Sequence, residues 1–340
     1  MSTSEAAEPV QVRRDFRSSY YYKSLHGFKG GEKSLGHLEV LLSMDVLDLE
    51  KLRHFCLQHT LPVYCRPLIW KVLLGVLPVH TDKDTTKFIE EQKAQQYSDL
   101  RHALQIMGRI ATPTHTHQQL HQVTERPLLK PCGDDVTTPQ ATSDPSASEE
   151  FVLVYLLESN KLLTATESHL RRPAQLRLRL IADAFLSMFD DEGACPRYWM
   201  FSGFVKMSAI IVLPHLDKLV SQCLCCLATE ESVLYSHLKS IGAISHTLPL
   251  MQWFSDCFAA DLPESCLESV WDRVVAGSCA VLAFVGAAIL LSVKRRILGL
   301  SSHTDLTHVL HTIPKENFTA IVSKGLQLWE TRGSPLLPPP

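Results

Sequence analysis

The sequence predicts an all-α fold, on three observations. The polar–apolar alternation of half-buried strands is almost absent along the 340 residues. Helix start and stop signals recur from one end to the other. Glycine is scarce, 15 residues in all, against an average usage of about 7%. Few glycines argue against turn-rich all-β folds and glycine-lined phosphate loops. The length gives two domains as a prior at about 150 residues each, ample to bury a core without a disulfide or metal staple.

The elements follow in chain order. Residues 1–34 read as an N-terminal extension, and a helical domain is expected over 35–331. Asp48 suits the N-cap of LEKLRHFCLQ, which puts Leu49, Leu52, Phe55 and Cys56 on one stripe, and Pro62 ends the segment. Pro67 fits the first turn of RPLIWKVLLGV, where its missing N–H costs nothing, and Pro78 closes it. Residues 83–109 form a long amphipathic helix. Its seam is Tyr97, Leu100, Leu104, Met107 and Ala111, with Ile89 one heptad earlier, and Glu90 and Lys93 interrupt it. Two readings stand for this seam: core packing, or a docking face for a partner helix. From Ala111 to Ser148 the chain carries five prolines among Thr, Ser and Gln, which predicts a long, disordered inserted loop. Its His115, His117 and His121 come without a third carboxylate or thiol ligand, so a flexible polar loop rather than a metal site is expected.

Helices resume at 151–163 and 173–189. The second has Leu176, Leu180, Ala184, Phe185 and Met188 inward and Arg171, Arg172, Arg177 and Arg179 outward. Further helices read as 196–212, 214–228, 230–242, 248–259, 263–275, 278–298, 302–312 and 314–331, before a Pro-rich tail at 332–340. The chain shows no fixed-period repeat of the kind a solenoid needs.

Composition narrows the function classes. Hydrophobic residues make up 45% and charged residues 20%, which excludes a disordered polar chain. A net charge of −3 lacks the footprint of a nucleic-acid binder. The 10 cysteines have no framework or zinc-ribbon spacing, and Cys223, Cys225 and Cys226 read as core or half-core thiols. The polar N-terminus lacks the apolar run of a signal peptide, which points to a reduced cytosolic setting. One segment tests the membrane alternative. Residues 274–293 run for 20 positions without a charge and are followed by Lys294, Arg295 and Arg296, which meets the spanning rule. Ala276-Gly277-Ser278 interrupts the run near its start and predicts a turn followed by a shorter buried helix.

Phosphate-loop, dinucleotide, nucleophile-elbow and H-E-x-x-H patterns are all absent from the sequence. His308 and His311 share a helix face without a third ligand nearby. No cofactor and no metal are expected. Chemistry alone reads as a helical interaction protein.

A second set of residues carries a resemblance. Arg66 and Trp70 fit R-x-x-x-W. Downstream, Trp253-Phe254, Phe258, Leu262-Pro263 and Trp271-Asp272 keep the order W-F…F…L-P…W-D. Order and spacing resemble the TBC domain of GTPase-activating proteins for Rab GTPases, over about residues 40–330. The resemblance implies an all-α fold of two packed helical lobes. It makes Arg66, Trp70, Trp253, Phe254, Trp271 and Asp272 framework residues, with the tryptophans in the core and Arg66 and Asp272 free to pair or cap. It also implies that the uncharged segment is a turn and a buried helix rather than a membrane span.

Active members of the family supply an Arg from I-x-x-D-x-x-R and a Gln from Y-x-Q-G-M. Arginine fingers generally contribute about 10³–10⁵ in rate. Neither motif occurs between Trp70 and Trp199, and no Gln in the chain is followed by Gly. The fingers would belong to the Pro-rich loop and Tyr155-Leu156-Leu157-Glu158-Ser159; Arg109 and Arg126 are the nearest candidate arginines. No catalytic residue is expected. RDFRSSYY, CFAADLPESCLESVWDRVVAGSC and AIVSKGLQLWE resemble a branch of the family that forms the third subunit of the tuberous sclerosis complex. That implies binding of the hamartin coiled coil and, through it, tuberin, with support of GTP hydrolysis by Rheb and restraint of TOR complex one signalling. The location implied is cytoplasmic, with recruitment to lysosomal or vesicle membranes through the complex. The seam Tyr97, Leu100, Leu104 and Met107 is the expected partner face. The alternative is an active Rab GTPase activator with non-standard finger residues.

Overall fold

A computed structural model describes residues 32–80, 82–110, 145–162, 173–246 and 248–338. The described chain is helical, and its only pairing of extended backbone is one antiparallel bridge between Val46 and His80. The all-α expectation holds, and so does most of the element order.

Helix α1 spans Glu32–Leu42. Asp48 caps α2 (Leu49–Gln58) by accepting from the N–H groups of Glu50 and Lys51. That satisfies two donors a helix start otherwise leaves orphaned. Pro67 sits in the first turn of α3 (Arg66–Leu73). Helix α4 (Lys83–Ile106) is the expected long helix, capped by Asp82.

Helix α5 runs over Ala147–Glu158, and its start corrects the sequence reading. Ser146 and Glu149 form a reciprocal capping box, so the helix takes over two residues before the inserted loop was expected to end. Residues 111–144, with His115, His117, His121 and Arg126, lie outside the described residues.

Helices α6 (Pro173–Met188) and α7 (Ala194–Ile211) pack in succession on α5. Two side chains of α6 depart from expectation. Leu176 is exposed, while Arg177 turns inward and donates from Nη1 to the Ser255 carbonyl at 3.0 Å. Ala184, Phe185 and Met188 are buried as expected, and Leu178, Ile181 and Ala182 join them to widen the stripe.

A bend at Leu213–His215 leads into α8 (Leu216–Glu230). There Cys223 and Cys226 are buried, but Cys225 is exposed, contrary to a common core role for all three. The stretch Ala194–Glu230 is the one described segment long and apolar enough to cross a membrane. It is broken by that bend, and α7 alone buries Tyr198, Trp199, Phe201 and Phe204 in the protein's own core.

Then follow α9 (Ser232–Ser240), α10 (Ala243–His246), α11 (Leu250–Ser255), α12 (Glu264–Val275) and α13 (Val281–Ser292). The uncharged run is divided as its Gly-Ser pair predicts. Helix α12 ends at Val275, Gly277 turns the chain at φ 108°, and α13 begins at Val281. Every residue of α13 from Val281 to Leu290 is buried, so its all-round apolar surface faces protein.

Helix α13 lies among α8, α11, α12 and the last long helix. The short helices α14 (Lys294–Leu298) and α15 (Leu306–His311) intervene before α16 (Phe318–Thr331). Gly325 sets the closest approach: a Cβ there would stand 2.9 Å from the Val285 Cα. The Pro-rich tail is not loose over its described part. The Pro335 carbonyl accepts from Ser278 Oγ and Trp329 Nε1, both at 2.9 Å, and the Leu336 carbonyl accepts from the Ala280 N–H.

Candidate functional site

The framework residues meet in the interior. Asp272 on α12 has no exposed surface and gathers donors from a segment about 200 residues away. Its Oδ1 accepts from Arg66 Nε at 3.1 Å and Trp70 Nε1 at 3.0 Å. Its Oδ2 accepts from the Leu61 N–H at 2.9 Å. Arg66, 2% exposed, donates onward to the Leu61 carbonyl at 2.8 Å and to Glu268 at 3.1 Å. The pair that the resemblance left open is therefore made. It bolts α3 and the turn before it to α12.

Charge is uneven within this knot. Burial works against the Arg66 cation, but Asp272 and Glu268 outweigh it and raise its pKa. One guanidinium faces two carboxylates. Burial, with Asp272 and Glu264 adding repulsion, pushes Glu268 up to about 7 despite its contact with Arg66. Glu268 is thus the proton-sensitive edge of the knot. Glu268 was not singled out from the sequence, although it sits four residues before Asp272 and so on the same helix face.

Around the knot lies an aromatic core. Trp271 stacks on Phe204 at 4.3 Å between ring centres and lies 5.4 Å from Phe185, while Trp70 is 5.9 Å from Phe185. Trp70, Trp253 and Trp271 are all buried, in keeping with core roles. The segment between the W-F and L-P motifs is a tight loop with two non-glycine residues at positive φ, Cys257 at 54° and Phe258 at 64°. Its strain is held by Trp271 Nε1 donating to the Cys257 carbonyl at 2.8 Å and by Asp256 Oδ1 accepting from the Phe258 N–H at 2.9 Å. Burial and the neighbouring Asp261 push the Asp256 carboxyl up to about 7.

Of the two stretches expected to hold finger residues, the Pro-rich loop lies outside the described residues over 111–144, and the other is the end of α5. Glu158 Oε2 accepts from Tyr198 Oη at 2.7 Å and Ser202 Oγ at 2.9 Å, and Oε1 accepts from Lys206 Nζ at 2.6 Å. Burial opposes its charge, but these donors on α7 outweigh it and hold its pKa below the usual carboxylate range. The helix ends at Ser159, and Asn160 follows at φ 57°. Tyr155 and Leu156 are buried in the core. The stretch therefore presents a charge-committed carboxylate that fastens α5 to α7.

The expected partner seam turns inward. Tyr97 is 6% exposed and stacks on Tyr198 at 5.1 Å, and Leu104 is fully buried. Leu100 is half-buried against the same core, and only Met107 is open, at 42%. This corrects the docking reading for Tyr97 and Leu104, because a surface helix cannot reach side chains that α5 and α7 already cover. Arg109 lies half-buried just beyond α4. Among the described residues, no group of three or more metal-ligand side chains comes together.

Comparison with known proteins places this geometry. The sequence matches the Rab-GTPase-TBC domain over residues 178–298. It is 37% identical to TBC1 domain family member 7 of Bos taurus, over 95% of this chain and 97% of that protein. The chain belongs to the TBC domain family. The human protein of the same name is 36% identical over the same shares, and that of Danio rerio 35% over 93% and 95%. Among solved structures, the Ypt/Rab-GAP domain of Gyp1p superposes with a TM-score of 0.57 at 14% identity, covering 88% of this chain and 98% of that one. A Chlamydomonas flagellar RabGAP TBC domain gives 0.54 at 13%, covering 94% and 96%. At those identities the likeness concerns the fold. The Arg66–Trp70–Asp272 knot is thus the internal clasp of a TBC protein.

Proposed function

We propose that this TBC protein is a non-catalytic subunit of the tuberous sclerosis complex. It binds the hamartin coiled coil, supports tuberin's stimulation of GTP hydrolysis by Rheb, and so restrains TOR complex one signalling. It acts in the cytoplasm and reaches lysosomal or vesicle membranes through the complex. The observation that carries the non-catalytic part is Glu158. In the stretch where the resemblance places the water-orienting Gln, Leu157 stands in the Gln register two residues after Tyr155, and Glu158 beside it is a carboxylate tied to Tyr198, Ser202 and Lys206. Catalysis of phosphoryl transfer rests on positioning and on stabilising negative charge. A fixed anion works against the second and supplies neither finger. The lack of any Gln-Gly pair in the sequence supports the same reading.

The similarity to TBC1 domain family member 7 proteins over most of the chain supports membership of the complex. Affinity purification of the full chain from cells tests it: hamartin and tuberin should co-purify in fixed proportion, and their absence would overturn the assignment. A second reading, an active Rab GTPase activator with non-standard fingers, draws on the match to the Rab-GTPase-TBC domain. Single-turnover GTP hydrolysis across a Rab panel separates the two. Stimulation that is lost in Arg109→Ala or Arg126→Ala would establish the second reading and remove the first.

A further inference from the structure

A cleft of about 470 Å³ opens between the Trp253–Pro263 segment and the chain from Thr307 to Phe318. Its size lies within the range of about 300–1,000 Å³ typical of ligand pockets. Its walls include Trp253, Leu262, Leu310 and Phe318, all buried residues with a face on the cleft. Asp261 also lines it, and its Oδ2 is buried without a hydrogen-bond partner. An unmatched buried carboxylate oxygen costs about 1–3 kcal/mol or more, so its place on the wall of an open cleft calls for a donor from outside the chain.

The electrostatics give the sign of that donor. Burial raises the Asp261 carboxyl above its usual range, while a hydrogen bond from Trp253 and the charge of His311 pull it back towards the ionised form, which a cation seated on Oδ2 would favour further. His311 and Lys315 also line the cleft from exposed positions, and His311 acts on the Asp261 carboxyl without hydrogen-bonding its Oδ2. A tryptophan face beside a carboxylate, within apolar walls, complements an organic cation on an apolar stem. We propose that this cleft is a binding site for an alkylguanidinium or alkylammonium group, seated with its charge on Asp261 and its hydrocarbon against Trp253 and Leu310. The cation can come from a free amine or from a basic side chain flanked by apolar residues in a polypeptide.

Saturation-transfer NMR on the full chain tests the site with hexylguanidinium, hexanoate and 1-hexanol as probes. The cation should bind saturably, and at least tenfold more tightly than either of the others. Asp261→Asn should remove that preference, and Thr307→Trp, which fills the rim from an exposed position, should block the cation without unfolding the protein. Equal binding of hexanol and hexylguanidinium, or blockade by neither variant, would overturn the proposal. If Asp261→Asn does not fold, Thr307→Trp alone decides. A second arm compares hexylguanidinium with acetyl-leucyl-arginyl-leucine amide. Tighter binding of the peptide points to a polypeptide source, and tighter binding of the free cation to a small molecule.

Discussion

Replacing Asp272 with Ala should cost a large fraction of the stability of this fold. The carboxylate accepts from Leu61 N–H, Trp70 Nε1 and Arg66 Nε at 2.9–3.1 Å, and it has no exposed surface. Its loss strands two neutral donors, at about 1–3 kcal/mol each. Breaking a buried ion pair alone typically costs about 3–5 kcal/mol. Glu268, 3.1 Å from Arg66, remains to neutralise the guanidinium, so the contributions do not simply add. The expected loss is about 3–5 kcal/mol, against a total for a typical domain of about 5–15 kcal/mol. Urea denaturation should show it as a midpoint lowered by more than about 1 M at unchanged slope. Arg66→Met should cost a similar amount, and the double variant clearly less than the sum, because removing both partners leaves no lone buried charge. With Asp272 gone, one source of repulsion disappears, so carboxyl NMR should find Glu268 titrating below about 7. A loss under about 1 kcal/mol from either single variant, or a strictly additive double, would refute the account of the knot.

Three further outcomes follow from the packing and the charges. Burial raises the Asp256 carboxyl from 3.8 to about 7, so the native state holds the proton more tightly than the unfolded chain. Its contribution to stability is full below the unfolded value and is lost as pH rises towards 7. Asp256→Asn should therefore match wild type near pH 4 and exceed it at pH 8 by about 1–3 kcal/mol, read from denaturation midpoints at the two pH values. Gly325→Ala should destabilise by about 1–3 kcal/mol through overpacking, despite a gain of about 1 kcal/mol in helix propensity, because its Cβ would meet the Val285 backbone at 2.9 Å; a rise in melting temperature would contradict the close approach of α13 and α16. Ser146→Ala should cost about 1 kcal/mol by removing the capping box, visible as faster amide exchange in the first turn of α5.

What the sequence made legible was whatever local chemistry decides. The Asp48 cap, Pro67 in a first turn and the Gly277 break each leave a mark within a few residues, and each stands where expected. The seam on α4 was not legible in the same way. Apolar spacing reports that a face must be covered, and it is silent on whether the cover is α5 and α7 or another molecule. The same limit hid Arg177: its charge suggested solvent, and only the fold brings the Ser255 carbonyl within 3.0 Å of it. Ser146-x-x-Glu149 fits the capping-box pattern, a local mark that went unread at the end of the polar loop. The role of Glu158 was out of reach, since its donors lie about 40 residues away on α7.

On the proposed non-catalytic reading, the framework of this fold has outlasted its chemistry at the end of α5. Residues such as Arg66 and Asp272 hold together segments far apart in sequence, so their loss weakens the whole fold. A finger residue makes no such contact, and once catalysis is not required, only packing constrains its stretch. At the end of α5 that constraint is now a three-donor clamp. Glu158→Gln puts an amide into that stretch and tests whether the stretch retains any chemistry. Tyr198 and Ser202 keep an oxygen to donate to, while Lys206, half-exposed, loses its ion partner. Water screens that pair, so the expected cost is about 1 kcal/mol or less. GTP hydrolysis across the Rab panel should stay at its basal rate, because an amide without an arginine finger leaves the developing charge on the phosphoryl group uncompensated. Stimulated hydrolysis by this variant would mean that the active geometry survives and that Glu158 alone silences it.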